Sequence, residues 1–133
     1  MRTRKPKAQP VRVLIADDHR LFAEALEAIL ATDERIEVIG QASDGGAAVE
    51  LAKRLAPDVV LMDVSMPVLD GFEATLEIRS ASEDVRVLML TGSNSRADVD
   101  RSREVGASGY VTKDRIASEL VASIVEVTRR RLP

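Results

Sequence analysis

The chain has no cysteine and no tryptophan, only one tyrosine, two phenylalanines and one histidine among its 133 residues. Without cysteine it can form no disulfide, build no thiolate zinc site and use no cysteine nucleophile, which removes several enzyme classes together. It also lacks an apolar run long enough to span a bilayer, and a charged leader followed by an apolar stretch. The sequence therefore reads as a cytoplasmic protein with no membrane partner. What is there is 45% hydrophobic and 31% charged, enough for one domain with its own core.

Negative charge is missing from both ends. Residues 1–10 carry Arg2, Arg4, Lys5 and Lys7 with no acid, and Arg129, Arg130 and Arg131 crowd residues 129–133, also without one. Setting these seven bases aside leaves twelve Lys and Arg against twenty-two acids, so residues 11–128 carry about −10. We read residues 1–10 as a basic tail, 11–128 as the domain, and 129–133 as the start of a linker or C-terminal tail. Short basic ends are usually solvated, so DNA contact is not expected from this chain alone.

Five short apolar segments recur: VRVLIA from Val11, IEVIGQA from Ile36, DVVLMDV from Asp58, VRVLML from Val85 and GYVT from Gly109. Several are continuous and rich in Val and Ile, as strands covered on both faces are. Between them lie helical spacings. Leu21, Phe22, Ala25, Leu26, Ile29 and Leu30 mark the inner face of a first helix. Ala48, Leu51, Ala52 and Leu55 mark a second, entered near Ser43 and Asp44 and stopped by Pro57. Asp70 and Glu73 have capping-box spacing for a third, whose apolar side includes Phe72 and Leu76. A fourth, entered at Ser95, has only Ala97, Val99 and Val105 to bury and reads as weakly anchored. A fifth, entered at Asp114, carries Ile116, Leu120, Ile124 and Val127. Five alternations of strand and helix predict an α/β fold, a doubly wound five-stranded parallel sheet with five helices on its two faces.

In such sheets ligands gather beyond the carboxyl ends of the strands. The first segment ends at Asp17 and Asp18, the third at Asp63, the fourth at Thr91 and Gly92, and the fifth at Thr112 and Lys113. Two unit charges about 4 Å apart repel by roughly 4 kcal/mol at an effective dielectric near 20, so the paired aspartates call for a cation. Three carboxylates with open water positions suit Mg²⁺ better than Zn²⁺. A dication, the Lys113 ammonium and the Thr91 hydroxyl converging on one carboxylate are what a transferring phosphoryl group needs. Asp63 is accordingly the candidate nucleophile, accepting phosphate as an acyl phosphate.

The motifs ADD, LMDVSMPVLDG, LTG and GYVTKD, in that order, resemble the receiver domain of bacterial two-component response regulators over residues 11–128. The resemblance implies a flavodoxin-like (βα)5 fold in which Asp63 accepts phosphate from a histidine kinase, with self-phosphorylation and autodephosphorylation as the only chemistry. It implies that Asp18 and Asp63 bind Mg²⁺ directly, that Asp17 acts through metal-bound water, and that the Ser65 carbonyl completes the protein ligands. Thr91 and Lys113 would hold the phosphoryl oxygens, and Tyr110 would turn inward as Thr91 moves, switching the surface of the fourth helix, fifth strand and fifth helix and allowing a homodimer. Small residues at Ser65, Gly92 and Ser93 would leave water a path to the phosphoryl group.

ADDH and GASGYVTKD are most similar to the subfamily with a LuxR-type helix-turn-helix output. The chain is therefore read as the receiver portion of a longer transcription regulator, with DNA contacted through an output domain outside it. A free-standing receiver acting on a protein partner, a Mg²⁺-dependent aspartyl-phosphate phosphatase and an inert interaction module are the competing readings. His19 is read as a partly exposed neighbour without a role, and Pro67 and Gly71 as turn residues after Asp63.

Overall fold

The structure is a computed structural model that describes residues 9–92 and 95–129. The expectations of a basic tail at residues 1–10, of a small side chain at Ser93 and of a linker at residues 129–133 lie wholly or largely outside the described residues.

Chain order is β1 (Val11–Ala16), α1 (Arg20–Ala31), β2 (Ile36–Ala42), α2 (Gly45–Leu55), β3 (Val59–Asp63), α3 (Gly71–Ala81), β4 (Arg86–Thr91), α4 (Arg96–Glu104), β5 (Gly109–Thr112), a 3₁₀ turn (Lys113–Arg115) and α5 (Ile116–Arg129). The strands form one parallel sheet in the order β2-β1-β3-β4-β5. Because successive strand side chains point to opposite faces, the central strands feed two cores. Val13, Ile15, Leu61 and Leu90 pack with Leu26 and Leu30 of α1 and Leu120 and Ile124 of α5. Leu14, Val60, Met62 and Met89 pack with Ala48 and Ala52 of α2 and Phe72 and Ile78 of α3. All five residues of β3 are buried, which explains why its sequence runs apolar without alternation.

Helix ends follow local chemistry. Asp44 caps α2 by accepting from the Ala47 N–H at 2.7 Å, and α2 ends at Ala56, held at φ 46° just before Pro57. Asp70 and Glu73 close both bonds of a capping box on α3. At the far end of α4, Ala107 N donates to Ser102 O and Gly106 N to Arg103 O, with Gly106 at φ 92°, which is the Schellman arrangement.

Two helix faces are rotated from the expectation. Leu21 is 82% exposed and Ala25 is also exposed, while Ala23 is buried with Leu26 and Leu30. At about 100° per residue, Leu21 and Ala25 each stand about 200° from Ala23. The same offset separates Leu76 from Ala74 and Ile78, and Leu76 is exposed. The fifth helix starts at Ile116 rather than Asp114, since the chain first makes the 3₁₀ turn. The fourth is as sparsely anchored as its composition predicts, with Ser102 its sole buried residue.

Candidate functional site

The strand order reverses at β1, which lies between β2 and β3, and crevices open where the order reverses. Asp17 leaves the carboxyl end of β1, its N–H donating to Ala42 O at 2.9 Å, and Asp63 is the last residue of β3. Both are only 2% exposed. Asp18 lies at the rim, its side chain 33% exposed.

Lys113, the first residue after β5, reaches back over these acids. Its Nζ stands 3.1 Å from Asp63 Oδ1 and 3.9 Å from Asp17 Oδ2, and 4.7 Å from the centroid of the Phe22 ring. The ring face favours the ammonium, so α1 supplies an apolar wall that aims the lysine. Asp17 Oδ1 accepts from the His19 N–H at 2.8 Å. Among the described residues Asp17 Oδ2 and Asp63 Oδ2 are buried without a hydrogen-bond partner. Burial pushes the Asp63 carboxyl above its ordinary range; the Lys113 hydrogen bond opposes this, while the charges of Asp17 and Asp18 add to it.

Three carboxylates facing one ammonium leave two negative charges uncompensated. Asp17, Asp18, His19 and Asp63 offer ligand atoms all within 4.8 Å of one another; among the described residues Asp63 Oδ2 accepts no hydrogen bond, and Asp17 Oδ2 has only the Lys113 ammonium at 3.9 Å. The donor set fits a dication.

Backbone packing fixes the segment after Asp63. Val64 N donates to Leu90 O and Gly71 N to Val64 O, at 3.1 and 2.8 Å. A Cβ on Gly71 would stand 2.1 Å from the Asp63 carbonyl oxygen. Glycine is required there by close approach of the chain to the acid's own backbone, not by the turn freedom expected from sequence. Pro67 O accepts from Leu69 N and from Gly45 N, tying the loop to α2, and Val68 between them sits at φ 72°.

The structure thus brings Asp17, Asp18, Asp63 and Lys113 together, and places Thr91, 5% exposed, at the neighbouring strand end, in register with Thr112. Ser65 is exposed two residues beyond Asp63. Tyr110 lies on the edge strand β5 and is 40% exposed. Two neighbours carried no expectation of contact. Arg101 of α4 sits 4.5 Å over the Phe72 ring and 3.9 Å from Asp70, bordering a cleft of ≈ 590 Å³ shared with Asp18, His19 and Ser65. Its composition on a polar helix signals nothing beyond solvation. His19 turns its Nδ1 to the acids at 3.3 to 3.5 Å; its place next to the acid pair was the available signal.

A family profile described as response regulator receiver domain matches residues 13–125. The chain is 41% identical to the transcriptional regulatory protein LnrK of Bacillus subtilis (strain 168) over 117 residues, covering 88% of this chain and 53% of that protein. It spans about half the length of the curated relatives it matches. The solved signal receiver domain of NarL from Mycobacterium tuberculosis superposes with a TM-score of 0.88 at 35% identity, over 92% of this chain and 98% of that one. CheY in the CheX-CheY-BeF3-Mg²⁺ complex from Borrelia burgdorferi gives 0.80 at 25% identity, over 90% of both chains.

Proposed function

The chain belongs to the response regulator receiver domain family, and from that premise we propose that it is a phosphorylation switch whose acceptor is Asp63. The donor is a histidine kinase phosphohistidine. An Asp63 carboxylate oxygen attacks phosphorus, the O–P bond forms as the N–P bond breaks, and the imidazole leaves. Lys113 and Thr91 hold the phosphoryl oxygens, the lysine already fixed by Phe22 and by Asp63 itself. Asp17, Asp18, Asp63 and the Ser65 carbonyl would hold Mg²⁺, which when bound neutralises charge on the transferring group. The Mg²⁺ in the related CheY complex supports that choice of ion.

The observation that carries the reading is a buried acid with its lysine at 3.1 Å inside a carboxylate cluster left short of positive charge. The rest of the proposal is downstream. Phosphorylation draws Thr91 inward, Tyr110 follows, and the surface of α4, β5 and α5 changes, allowing a homodimer. The output is transcription through a DNA-binding domain outside this chain, in the cytoplasm; no helix among the described residues is long and apolar enough to cross a membrane. Catalysis is limited to self-phosphorylation and autodephosphorylation.

Incubation with a small phosphodonor and Mg²⁺, read by intact mass, tests it. We expect one phosphoryl group per chain, dependent on Mg²⁺ and absent from Asp63→Asn. An undiminished adduct on the Asn variant would place the acceptor elsewhere, and many turnovers of a phosphorylated metabolite would favour a phosphatase.

A further inference from the structure

We infer that His19 is an additional protein ligand of the cation site and biases it toward transition dications that accept nitrogen donors. The inference rests on the reading of Asp17, Asp18 and Asp63 as a cation site and adds a fourth side chain to it.

His19 occupies the N-cap position of α1, where serine, threonine, aspartate or asparagine usually satisfies a free backbone N–H. Its side chain makes no such bond. The imidazole is 70% exposed, with room to extend into water, yet its Nδ1 stands 3.5 Å from Asp17 Oδ1 and 3.3 Å from Asp18 Oδ1. Its backbone is pinned in place, because the His19 N–H donates to Asp17 Oδ1 at 2.8 Å.

The spacing is close to, and slightly wider than, that of atoms sharing one ion. Metal–ligand bonds of about 2.1 Å put octahedral neighbours about 3.0 Å apart and opposite ligands about 4.2 Å apart. Nδ1 stands 3.3 and 3.5 Å from two of the carboxylates, and the four donor atoms fall within 4.8 Å of one another, so an ion of this size would draw the cluster slightly together. An acidic cluster alone would not define a site. Here two of its oxygens, Asp17 Oδ2 and Asp63 Oδ2, are buried without a hydrogen-bond partner among the described residues.

Ligand chemistry then separates the ions. Mg²⁺ takes oxygen donors, keeps several waters and gains little from an imidazole. Mn²⁺, Co²⁺ and Ni²⁺ gain progressively from nitrogen. Removing His19 should therefore weaken the transition ions and spare Mg²⁺, whereas removing a carboxylate should weaken all of them.

The test compares the parent chain, His19→Ala and Asp18→Ala in calorimetric titrations with Mg²⁺ and with Co²⁺, and examines bound Mn²⁺ by pulsed EPR. We expect His19→Ala to lower Co²⁺ affinity by about tenfold or more, within the range by which ligand surroundings tune metal affinity, and to change Mg²⁺ affinity less than twofold. The parent chain should show nitrogen coupling to Mn²⁺ that His19→Ala lacks. Normal Mg²⁺ binding with equal Co²⁺ affinities in parent and His19→Ala, or with no nitrogen coupling, overturns the His19 assignment and leaves the carboxylate site standing. A parent chain that binds neither ion overturns both. The EPR measurement on the parent chain needs no variant to fold.

Discussion

At Asp63, burial raises the carboxyl pKa, Lys113 lowers it and the neighbouring acids raise it further; the net direction is upward. A folded-state pKa above the unfolded value means the native state holds its proton more tightly. The stability this residue contributes is therefore fully present below the ordinary carboxylate pKa and is lost as pH rises through the raised value. At neutral pH without metal the ionised Asp63 works against the fold. Asp63→Asn keeps the shape and removes the charge, so in urea titrations at pH 7 without Mg²⁺ it should be more stable than the parent by on the order of 1 kcal/mol, an ordinary single-residue effect. Its stability should also vary less with pH. A less stable Asn variant would mean that the Lys113 pairing outweighs burial. Gly92 is a second residue with a separable role, since a Cβ there meets no atom of the described residues within 4 Å. Gly92→Val should fit without disturbing the fold and, under the proposed function, obstruct water. The phosphorylated protein should then decay more slowly after donor removal, a tenfold longer lifetime corresponding to about 1.4 kcal/mol. An unchanged lifetime would assign the rate to Lys113, Thr91 and the metal instead.

Among the elements, the β3–α3 loop carries strain that its sequence does not advertise. Val68 is a β-branched residue at φ 72°, spanned by the Leu69 N to Pro67 O bond at 2.9 Å; this is the γ-turn of positive central φ, a strained conformation of the kind that costs roughly 1–3 kcal/mol. Since Val68 is 79% exposed, little packing compensates. Val68→Gly, which takes positive φ without a Cβ clash, should raise the urea midpoint by a stability gain of about 1 kcal/mol at unchanged m; a lower midpoint would show that the valine methyls beside Gly46 contribute more than the strain removes. The sequence is silent here because valine has no turn chemistry. Elsewhere the elements were legible for physical reasons. VRVLIA, IEVIGQA and GYVT coincide with β1, β2 and β5, since polar or turn residues bound each of them, and Asp70 with Glu73 announced α3 through side-chain capping. Leu21 and Leu76 misled because hydrophobicity alone does not fix the phase of a helix by one or two residues. Asp17, Asp63 and Lys113 were visible as strand-end residues of the right type. Arg101 was not, because its partners Phe72 and Asp70 lie on another helix.

For the whole molecule, an acidic body with a charged fourth helix constrains how copies could associate. α4 runs RADVDRSRE and buries only Ser102, and the adjoining edge strand offers Tyr110 as its exposed aromatic. A homodimer built on α4, β5 and α5 would thus be held chiefly by paired opposite charges, because α4 carries Arg96, Arg101 and Arg103 together with Asp98, Asp100 and Glu104. Such contacts are screened, with a Debye length of about 10 Å at 0.1 M salt and about 3 Å at 1 M. Coupling of about 1–3 kcal/mol between the proposed phosphoryl site and this face would be enough to shift association roughly 5- to 150-fold. Sedimentation equilibrium with beryllofluoride and Mg²⁺ should therefore show a dimer near 0.1 M salt that returns to monomer near 1 M, and a monomer at both when beryllofluoride is omitted. A dimer indifferent to salt would move the interface to an apolar surface, such as that around the exposed Leu21 on α1. Unchanged mass in every condition would leave a different protein as the receiver's output, reached through α4 without self-association.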